Sequence, residues 1–226
     1  VWNTIKFTIL AVVLEMALGL LIAVFVNSLK RGQKIMRTLL LLPYLLPAVT
    51  VALSWRMMLS ANYGIINQFL KGLGLPVFNW FMDTKTAFGT ILLIDVWQNV
   101  PFVFLLLYAS LQSVSENQYE AARIDGASEA KTFVRIALPM IKPGIGALAI
   151  FTFINSWNHY FMQLIMLSST SNLTISLGIA KLQAENSTDF GLIMAGAALA
   201  AVPIIIIFLI FQKYFTKGIA MGAVKG

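Results

Sequence analysis

Five long apolar runs divide this chain of 226 residues. They lie near residues 4–29, 38–59, 86–110, 145–168 and 191–212. A hydrocarbon core of about 30 Å requires roughly 20 apolar residues in an α-helix, and each run reaches that length. Because lipid offers no partner for backbone N–H and C=O groups, we expect each run to be helical. The pattern predicts an all-α integral membrane protein with five spans.

Two prolines interrupt the second span, at positions Pro43 and Pro47. Proline lacks a backbone N–H and its ring clashes with the preceding turn, so we expect a kink or a locally unwound segment. The kink is either purely structural or, as in many transporters, part of a cavity wall. The pattern of residues 60–86, which follow, predicts a short outward-facing amphipathic helix and a turn. This helix would contact an external partner or lie on lipid headgroups.

The main polar interval is the loop of residues 111–144, between the third and fourth spans. Ser115 followed by Gln118 is the capping-box pattern, which predicts a short helix over 116–125. Gly126 tolerates a positive φ, so it favours a turn directly after that helix.

A second short helix is expected after this turn. Ser128 is a favourable N-cap and Glu129 is well placed in the first turn, so the helix should run to about Ile136. Pro139 should end it, and Pro143 should break the chain again before the fourth span. Two short helices at an angle form either a docking surface or a solvated loop that only joins two spans.

Lysine and arginine are distributed unevenly between the two sides of the predicted spans. Eleven lie on one side: Lys30, Arg31, Lys34, Arg37, Arg123, Lys131, Arg135, Lys142, Lys213, Lys217 and Lys225. Five lie on the other: Lys6, Arg56, Lys71, Lys85 and Lys181. By the positive-inside rule, the 111–144 loop and the tail from 213 to 226 face the cytoplasm. The net charge of +7 thus reflects membrane orientation, and no nucleic-acid partner is indicated.

Composition restricts the other function classes. The chain is 59% hydrophobic and 11% charged, which leaves no room for a separate soluble domain, so residues 1–226 form one transmembrane domain. Without cysteine there is no disulfide or thiolate chemistry, and His159 as the single histidine cannot form a His-based metal cluster. No nucleophile–base arrangement and no G-x-x-x-x-G-K phosphate loop is present. We therefore expect no metal, no cofactor and no enzymatic activity.

The sequence begins with Val1 rather than Met and enters a span almost at once, so we expect residues to precede it in the full protein. The run over 4–29 is too long for a signal peptide and has no cleavage-type end.

Ionisable and amide side chains occur inside two spans. Glu15 lies in the first, and Asp95, Gln98 and Asn99 precede Pro101 in the third. A carboxylate at the bilayer centre costs about 2.5–3.5 kcal/mol on insertion scales, so it should face protein or water. The two carboxylates are either a proton relay of an ion-coupled secondary transporter, or buried hydrogen-bonded groups or groups near the membrane interface. No second carboxylate or basic partner lies at helical spacing from either, which favours the second interpretation.

The fourth span contains an unusually polar stretch, Asn155-Ser156-Trp157-Asn158-His159-Tyr160. These residues either belong to the interfacial aromatic belt or project into a central cavity, where amides and aromatic rings suit a sugar. The candidate residues of a substrate path are Gln98, Asn99, Asn155, Trp157, Asn158 and Tyr160.

The fifth span has small residues at four-residue spacing, which predict a face for close helix packing. They are Gly191, Ala195, Gly196, Ala197, Ala198, Ala200 and Ala201.

The polar loop also carries a long sequence pattern. Glu120-Ala121-Ala122, three residues, Gly126, nine residues and then Ile136-x-Leu138-Pro139 resembles the EAA loop of binding-protein-dependent ABC importer permeases. The resemblance implies that these residues form a coupling helix seated in a cleft of a cytoplasmic ATPase subunit. It further implies an ATPase dimer that binds the ATP, a second permease subunit and an extracytoplasmic solute-binding protein as partners.

The resemblance extends over essentially the whole chain. RTLLLLPYLLPAVTVALSW, YGIINQFL and DVWQNVPF resemble the first permease of carbohydrate ABC importers, of the maltose and glycerol-phosphate type. The last third, from NSWNHYF onward, resembles the second permease. Its ending Gly222-Ala223-Val224-Lys225-Gly226 is similar to a tail that reaches into the ATPase dimer, and the alternative for this short basic tail is a disordered contact with anionic lipid. The resemblance implies a five-helix permease core in the cell membrane that imports an oligosaccharide or related sugar. Which of the two permease positions the chain occupies stays open, as does pairing with itself.

Overall fold

The computed structural model of this chain describes residues 1–29, 31–82, 84–166, 174–185 and 189–223. Within those ranges the regular structure is helical, with no β-strand. The helices are α1 Trp2–Ser28, α2 Gln33–Leu45, α3 Ala48–Met58, α4 Ile65–Gly72, α5 Thr84–Gln112, α6 Glu116–Ile124, α7 Glu129–Thr132, α8 Leu138–Asn158, α9 Phe161–Met166, α10 Ile175–Glu185 and α11 Phe190–Ala223. A π-helical turn, Phe133–Ala137, joins α7 to α8.

Four helical runs are long and apolar enough to cross a membrane: Trp2–Ser28, Thr86–Gln112, Glu129–Met166 and Phe190–Lys213. The pair α2 and α3 gives a fifth if it is counted as one broken span, bent by 87°. These five segments overlap the five apolar runs of the sequence. Residues 167 and 168, at the end of the fourth predicted span, lie outside the described residues.

The break in the second span lies at the predicted prolines. Pro43 is inside α2, the chain leaves the helix at Leu46, and Pro47 is the N-cap of α3. The Gln98 side chain of α5 donates its Nε2–H to the Leu46 carbonyl oxygen at 3.1 Å. The Gln98 amide thus supplies a hydrogen bond to a backbone carbonyl that has no helical N–H partner at the break.

The centre of the bundle is the contact between α1 and α5, which runs along most of both helices. Gly19 allows the close approach, because a Cβ there would lie 2.6 Å from Val103 Cγ1 and 3.1 Å from the Phe104 backbone nitrogen. Phe104 and Val26 are fully buried next to this contact. α8 packs against α1 on one side and against α11 on the other.

The polar loop has the predicted first helix and turn, but a different continuation. Gly126 has a φ of +72°, as the turn requires. Ser128 caps α7 as predicted, since its Oγ accepts from the Lys131 N–H at 3.4 Å. The predicted stop at Pro139 and break at Pro143 are wrong, because the chain stays helical from Glu129 through α8.

The π-helical turn Phe133–Ala137, closed by the Leu138 N–H on the Phe133 carbonyl oxygen, lies just ahead of Pro139. A π-helical turn shifts the hydrogen-bond pattern by one residue, which relieves the clash between a proline ring and a preceding carbonyl. The predicted capping box is also wrong: Ser115 is the N-cap of α6, but its side chain makes no capping hydrogen bond. The turn is instead closed by the Gln118 N–H on the Ser115 carbonyl oxygen at 3.2 Å.

The loop between α3 and α5 contains the expected amphipathic helix, α4. Its buried residue Asn67 donates from Nδ2 to the Phe78 carbonyl oxygen at 2.9 Å and accepts from Trp80 Nε1 at 2.9 Å. Ile65 and Phe69 lie on the opposite, exposed face. Asn67 therefore anchors α4 to the rest of the loop.

The small residues of the fifth span lie on α11, and two of them face neighbouring helices. A Cβ on Gly196 would lie 3.3 Å from Ile179 Cγ1 of α10, and the Ala200 carbonyl accepts from Trp157 Nε1 at 3.1 Å. Of the predicted tail, Gly222 and Ala223 continue α11, whereas residues 224–226 lie outside the described residues.

Candidate functional site

A cavity of about 150 Å³ lies between the spans. It is lined by α1, α2, α5, α8 and the residue that follows α8: Glu15, Tyr44, Asn99, Phe102, Val103, Thr152, Asn155, Ser156 and His159. At 1.5 Å per residue, Glu15 lies about 20 Å from either end of α1, so the cavity is near the middle of the membrane. Four separate transmembrane segments thus contribute to a single concave site.

Three ionisable side chains meet beside the cavity, and we call them the carboxyl cluster: Glu15, Asp95 and His159. Asp95 is 1% exposed, and its Oδ1 lies 2.8 Å from His159 Nδ1. Asn99 donates from Nδ2 to the same Oδ1 at 3.2 Å and to the Asp95 backbone oxygen at 2.9 Å. The Glu15 carboxyl lies beside that of Asp95. The cluster joins α1, α5 and the end of α8.

No ionisable partner lies at helical spacing from Glu15 or Asp95 along the chain, and the partners instead come from other segments of the bundle. Spacing within one helix cannot reveal these partners, because Glu15 lies on α1, Asp95 on α5 and His159 directly after α8, far apart in sequence. The interpretation as buried hydrogen-bonded groups holds for Asp95, which has two side-chain partners.

Two cavity-lining residues of α8 carry buried hydroxyl groups without a hydrogen-bond partner. Thr152 and Ser156 lie one helical turn apart and are 4% and 6% exposed. Neither Thr152 Oγ1 nor Ser156 Oγ makes a hydrogen bond in the described part of the chain. Most buried polar groups in proteins are hydrogen-bonded, so these two hydroxyls are exceptions next to the cavity.

Aromatic rings form another part of the wall. Tyr44 stacks on Phe102 with ring centroids 5.1 Å apart and an interplanar angle of 21°. Phe102 also contacts Phe151 at 5.3 Å. Tyr44 follows Pro43 directly, so the kinked end of α2 brings an aromatic ring to the cavity.

The structure divides the six predicted substrate-path residues. Asn99 and Asn155 line the cavity. Gln98 is buried and binds the helix break at Leu46, and Trp157 is buried between α8 and α11. The remaining two are not part of the cavity wall: Asn158 donates to the Ile154 carbonyl oxygen at 2.9 Å, and Tyr160 is half-buried. Thr152 and Tyr44 also line the cavity, but single hydroxyl groups in apolar runs gave no signal in the sequence.

The residues of the EAA pattern follow the C-terminal end of α5 and continue to the start of α8. Glu120 and Ala121 are exposed on α6, whereas Ala122 is buried. The half-buried phenol of Tyr119 lies beside them, and burial raises the pKa of its hydroxyl. Gly126 is exposed at the turn. In the second part of the pattern, Ile136 and Leu138 are half-buried and Pro139 is exposed.

One residue of this loop was missed by the sequence interpretation. Ile124, the last residue of α6, is 86% exposed. Its only signal is an isoleucine between Arg123 and Asp125 in an otherwise polar stretch. An isolated exposed isoleucine is common, but here it lies beside the exposed face of Glu120 and Ala121.

A polar network ties the end of α5 to the start of α2. Tyr108 donates from its hydroxyl to Gln33 Oε1 at 3.0 Å and accepts from Gln112 Nε2 at 2.7 Å. The guanidinium of Arg37 lies 5.0 Å from the centre of the Tyr108 ring. Since α2 carries Tyr44 at its other end, the network links the segment before α6 to the cavity wall.

The sequence of this chain is similar to those of permease proteins of known transport systems. Two relatives are the trehalose/maltose transport system permease protein MalF of Thermococcus litoralis, 39% identical over 140 residues, and the sulfoquinovosyl glycerol transport system permease protein SmoG of Agrobacterium fabrum, 32% identical over 204 residues. The matches cover 62% and 89% of this chain, and 48% and 65% of those proteins. The chain thus spans about half to two-thirds of the length of these relatives.

The fold is shared with solved transporters. A chain of a bacterial alginate ABC transporter in complex with an alginate pentasaccharide-bound periplasmic protein superposes with a TM-score of 0.84 at 23% identity, covering 93% of this chain and 75% of that one. A chain of the MetNI methionine ABC transporter superposes with a TM-score of 0.67 at 15% identity, covering 96% and 93%. Residues 15–221 match the family described as binding-protein-dependent transport system inner membrane component. Together with the multi-pass helical fold, this match shows that the chain belongs to that family of membrane transport components.

Proposed function

We propose that this chain is the transmembrane permease subunit of an ATP-driven, binding-protein-dependent importer for an oligosaccharide or related sugar. The observation that carries the proposal is the exposed α6–Gly126–α7 loop with the EAA spacing, placed directly after a span that lines a central cavity. ATP would be hydrolysed by a separate subunit, and this chain would supply the path.

The partners follow from the family assignment and from the relatives. The family description names a binding protein, and one solved neighbour was determined in complex with a periplasmic protein. We propose that a cytoplasmic ATPase dimer contacts the α6–α7 loop and the C-terminal tail, with both on the cytoplasmic side. A second permease and the external solute-binding protein complete the importer, and the exposed apolar faces of α1 and α11 contact lipid or that second permease.

The proposed contact with the ATPase combines charge and apolar area. Glu120 offers an exposed carboxylate and Ile124 an exposed apolar side chain on one short helix. Buried apolar anchors within a polar rim are typical of protein interfaces. The positive φ of Gly126 fixes the direction in which α7 leaves this helix, so the loop can act as a rigid lever.

The movement would reach the cavity through α5 and α2. A displacement of α6 acts on the end of α5, and the Tyr108–Gln33 hydrogen bond passes it to the start of α2. Tyr44, at the other end of α2, forms part of the cavity wall next to the 87° break. A nucleotide-dependent change at the loop thereby alters the cavity, provided that the two states bind the ATPase with different affinity.

The size of the cavity indicates what this chain contributes. Sites for drug-sized ligands measure roughly 300–1,000 Å³, and this one is about 150 Å³. We infer that it holds one end of a ligand, with the rest of the ligand on the side of the second permease. Stacked aromatic rings are suited to sugar rings, and relatives include permeases named for trehalose/maltose and for arabinooligosaccharides.

An ion-driven transporter is the second candidate, because the structure brings Glu15, Asp95 and His159 together. The family assignment favours ATP as the energy source. Uptake by the Glu15→Gln and Asp95→Asn variants separates the two mechanisms. The ion-driven mechanism is excluded if the unaltered importer takes up sugar with ATP in the absence of a proton gradient, and if each variant does the same.

The test of the proposed function is uptake into proteoliposomes that contain this chain, its second permease and its ATPase. Radiolabelled maltose, trehalose and arabinotriose are supplied outside with the solute-binding protein, and ATP is enclosed. We expect uptake of at least one sugar that requires both ATP and the binding protein. Uptake that continues after ATP is omitted, or no uptake of any sugar, would contradict the proposal.

A further inference from the structure

The exposed face of α4 carries apolar side chains where a helix in water would carry polar ones. Ile65, Phe69 and the C-cap Leu73 follow one another at four-residue spacing, and they are 64%, 67% and 61% exposed. Residues four apart lie on one face of a helix, so these three form a continuous strip, which we call the α4 stripe. Asn67, on the opposite face, is 3% exposed. The helix therefore turns its apolar face outward and an amide inward.

The amide side chains of α4 have hydrogen-bond partners within the same loop. Asn67 donates from Nδ2 to the Phe78 carbonyl oxygen, and its Oδ1 accepts from Trp80 Nε1, each at 2.9 Å. Gln68 donates from Nε2 to the Tyr63 carbonyl oxygen at 3.2 Å. Because a polar group without a partner is costly outside water, these internal bonds suit α4 to an environment that is poor in water.

The length of α5 gives the level of α4 in the membrane. α5 has 29 residues. At 1.5 Å per residue it is about 43 Å long, which matches the roughly 40–45 Å of a bilayer with its headgroup regions. The N-terminal end of α5, opposite the α6–α7 loop, therefore lies at the headgroups. Phe78 and Trp80, which hold Asn67, precede that end by only a few residues, so α4 is tied to the same level.

The α4 stripe also follows an exposed apolar surface of the broken span. Leu53 and Met57, one turn apart on α3, are both exposed. α4 begins directly against the end of α3, since a Cβ on Gly64 would lie 2.5 Å from the Met58 carbonyl oxygen. Exposed apolar side chains thus pass from a membrane segment onto α4 within a short stretch of chain.

We propose that α4 is an interfacial helix that inserts the α4 stripe into the lipid of the leaflet opposite the α6–α7 loop, at the boundary between headgroups and acyl chains. Large exposed apolar patches mark contacts with a protein or a membrane. A solute-binding protein that docks and leaves would return the stripe to water in every transport cycle, whereas lipid covers it in every state. The level of α4 and the exposed apolar residues of α3 favour the lipid.

Spin labels on single cysteines test this contact, because the chain contains no cysteine of its own. The importer is assembled in lipid nanodiscs with cysteine-free partner subunits and without the solute-binding protein. It is labelled at position 69 or, as the matched control, at position 71. Lys71 is also exposed, but it lies two residues further along α4 and points away from the stripe.

EPR power saturation measures collisions of each label with O₂, which is enriched in hydrocarbon, and with a water-soluble nickel chelate. The apolar face of an interfacial helix lies about 5–10 Å inside the boundary, so we expect the O₂-to-nickel collision ratio at position 69 to exceed that at position 71 by about threefold or more.

A label at position 73 reads the effect of the stripe itself. Phe69→Glu should lower the collision ratio at position 73 by about threefold or more, because a carboxylate in hydrocarbon is costly and draws the helix toward water. Asn62→Glu is the control, since it places the same side chain at an exposed site of the same loop outside the stripe, and it should leave the ratio unchanged.

The other occupants would give different signals. A second permease on the stripe would make the label at position 69 immobile and poorly accessible to both reagents. A surface reserved for the solute-binding protein would be mobile and accessible to nickel, and would become protected when that protein is added. Either result, or equal effects of Phe69→Glu and Asn62→Glu, would overturn the proposal.

Discussion

Substitution of Gly126 tests the coupling loop with an internal control in the same chain. Gly126 follows α6, with a φ of +72°, an N–H that donates to the Arg123 carbonyl oxygen at 3.0 Å, and no atom within 4 Å of an added Cβ. Gly74 follows α4 with the same φ of +72°, an equivalent hydrogen bond to Lys71 at 3.1 Å and equally open surroundings. The two glycines have the same local geometry but lie at opposite ends of the spans.

The structure sets the size of the effect. Alanine in the left-handed region costs about 1–2 kcal/mol, and no steric contact adds to it at either glycine. That cost reduces the population of the native turn by about five- to thirtyfold relative to the alternatives. Proline cannot reach a φ of +72° and also removes the N–H that donates to Arg123, so Gly126→Pro abolishes the native turn.

The assay is ATP hydrolysis by the reconstituted importer, with and without the sugar-loaded binding protein. We expect Gly126→Pro to abolish the stimulation by substrate and Gly126→Ala to reduce it. Gly126→Asn should keep most of it, since asparagine tolerates the left-handed conformation. Gly74→Pro has the same local cost at the opposite end of the spans, so ATP hydrolysis by this variant should remain stimulated.

The decisive comparison is between the substrate-stimulated ATP hydrolysis of Gly126→Pro and that of Gly74→Pro. Equal loss of stimulation in Gly126→Pro and Gly74→Pro would show that the turn geometry affects only general folding. Full stimulation in Gly126→Pro would refute the role of the loop as a lever. Membrane insertion of each variant, measured by its yield in purified membranes, ensures that the comparison concerns coupling.

Three further changes test other parts of the account. Glu120→Lys should remove substrate-stimulated ATP hydrolysis without loss of the helix, because the side chain is exposed and lysine is as good a helix former as glutamate; normal stimulation would contradict the contact. Gly19→Leu should lower the apparent Tm in detergent, because the added side chain forces α1 away from α5 and reduces the free energy of unfolding by about 1–3 kcal/mol. Gly89→Ala should leave the Tm unchanged, because an added Cβ there has open space around it. Trp157→Phe should cost about 1 kcal/mol, or about 2–4 °C, through loss of the hydrogen bond to Ala200, and an unchanged Tm would show that this bond contributes nothing.

Local features of the chain were predictable because they depend on neighbouring residues. The apolar runs were long enough to indicate the helical spans, and Pro43 with Pro47 indicated the break between α2 and α3. Gly126 indicated a turn because only a residue without a Cβ takes a φ of +72° at no cost.

The helix through Pro139 and Pro143 was not predictable from single-residue rules. Proline in a helix interior normally breaks it, but the π-helical turn Phe133–Ala137 accommodates the first ring. Membrane helices also tolerate proline where neighbouring helices satisfy the freed carbonyl groups. The sequence carried no pattern for a π-helical turn, so the continuity of this span depends on its tertiary context.

The cavity was only partly predictable for a similar reason. Asn99 and Asn155 were identified as unusual amides in apolar runs, and both line the cavity. The carboxyl cluster was missed because its three members meet only when α1, α5 and α8 pack together. Trp157 was placed on the candidate path by its residue type, but its position on α8 turns it toward α11.

The central claim is that the α6–α7 loop contacts the ATPase in the cytoplasm. The chain contains no cysteine, so a single cysteine at Ile124 can be cross-linked without background from this subunit. A matched control is a single cysteine at Phe69, which is similarly exposed but lies on α4. Cross-linking in the assembled importer should join position 124, but not position 69, to the ATPase. The account would be contradicted if position 124 gave no cross-link to the ATPase and an impermeant maleimide labelled it from outside intact cells.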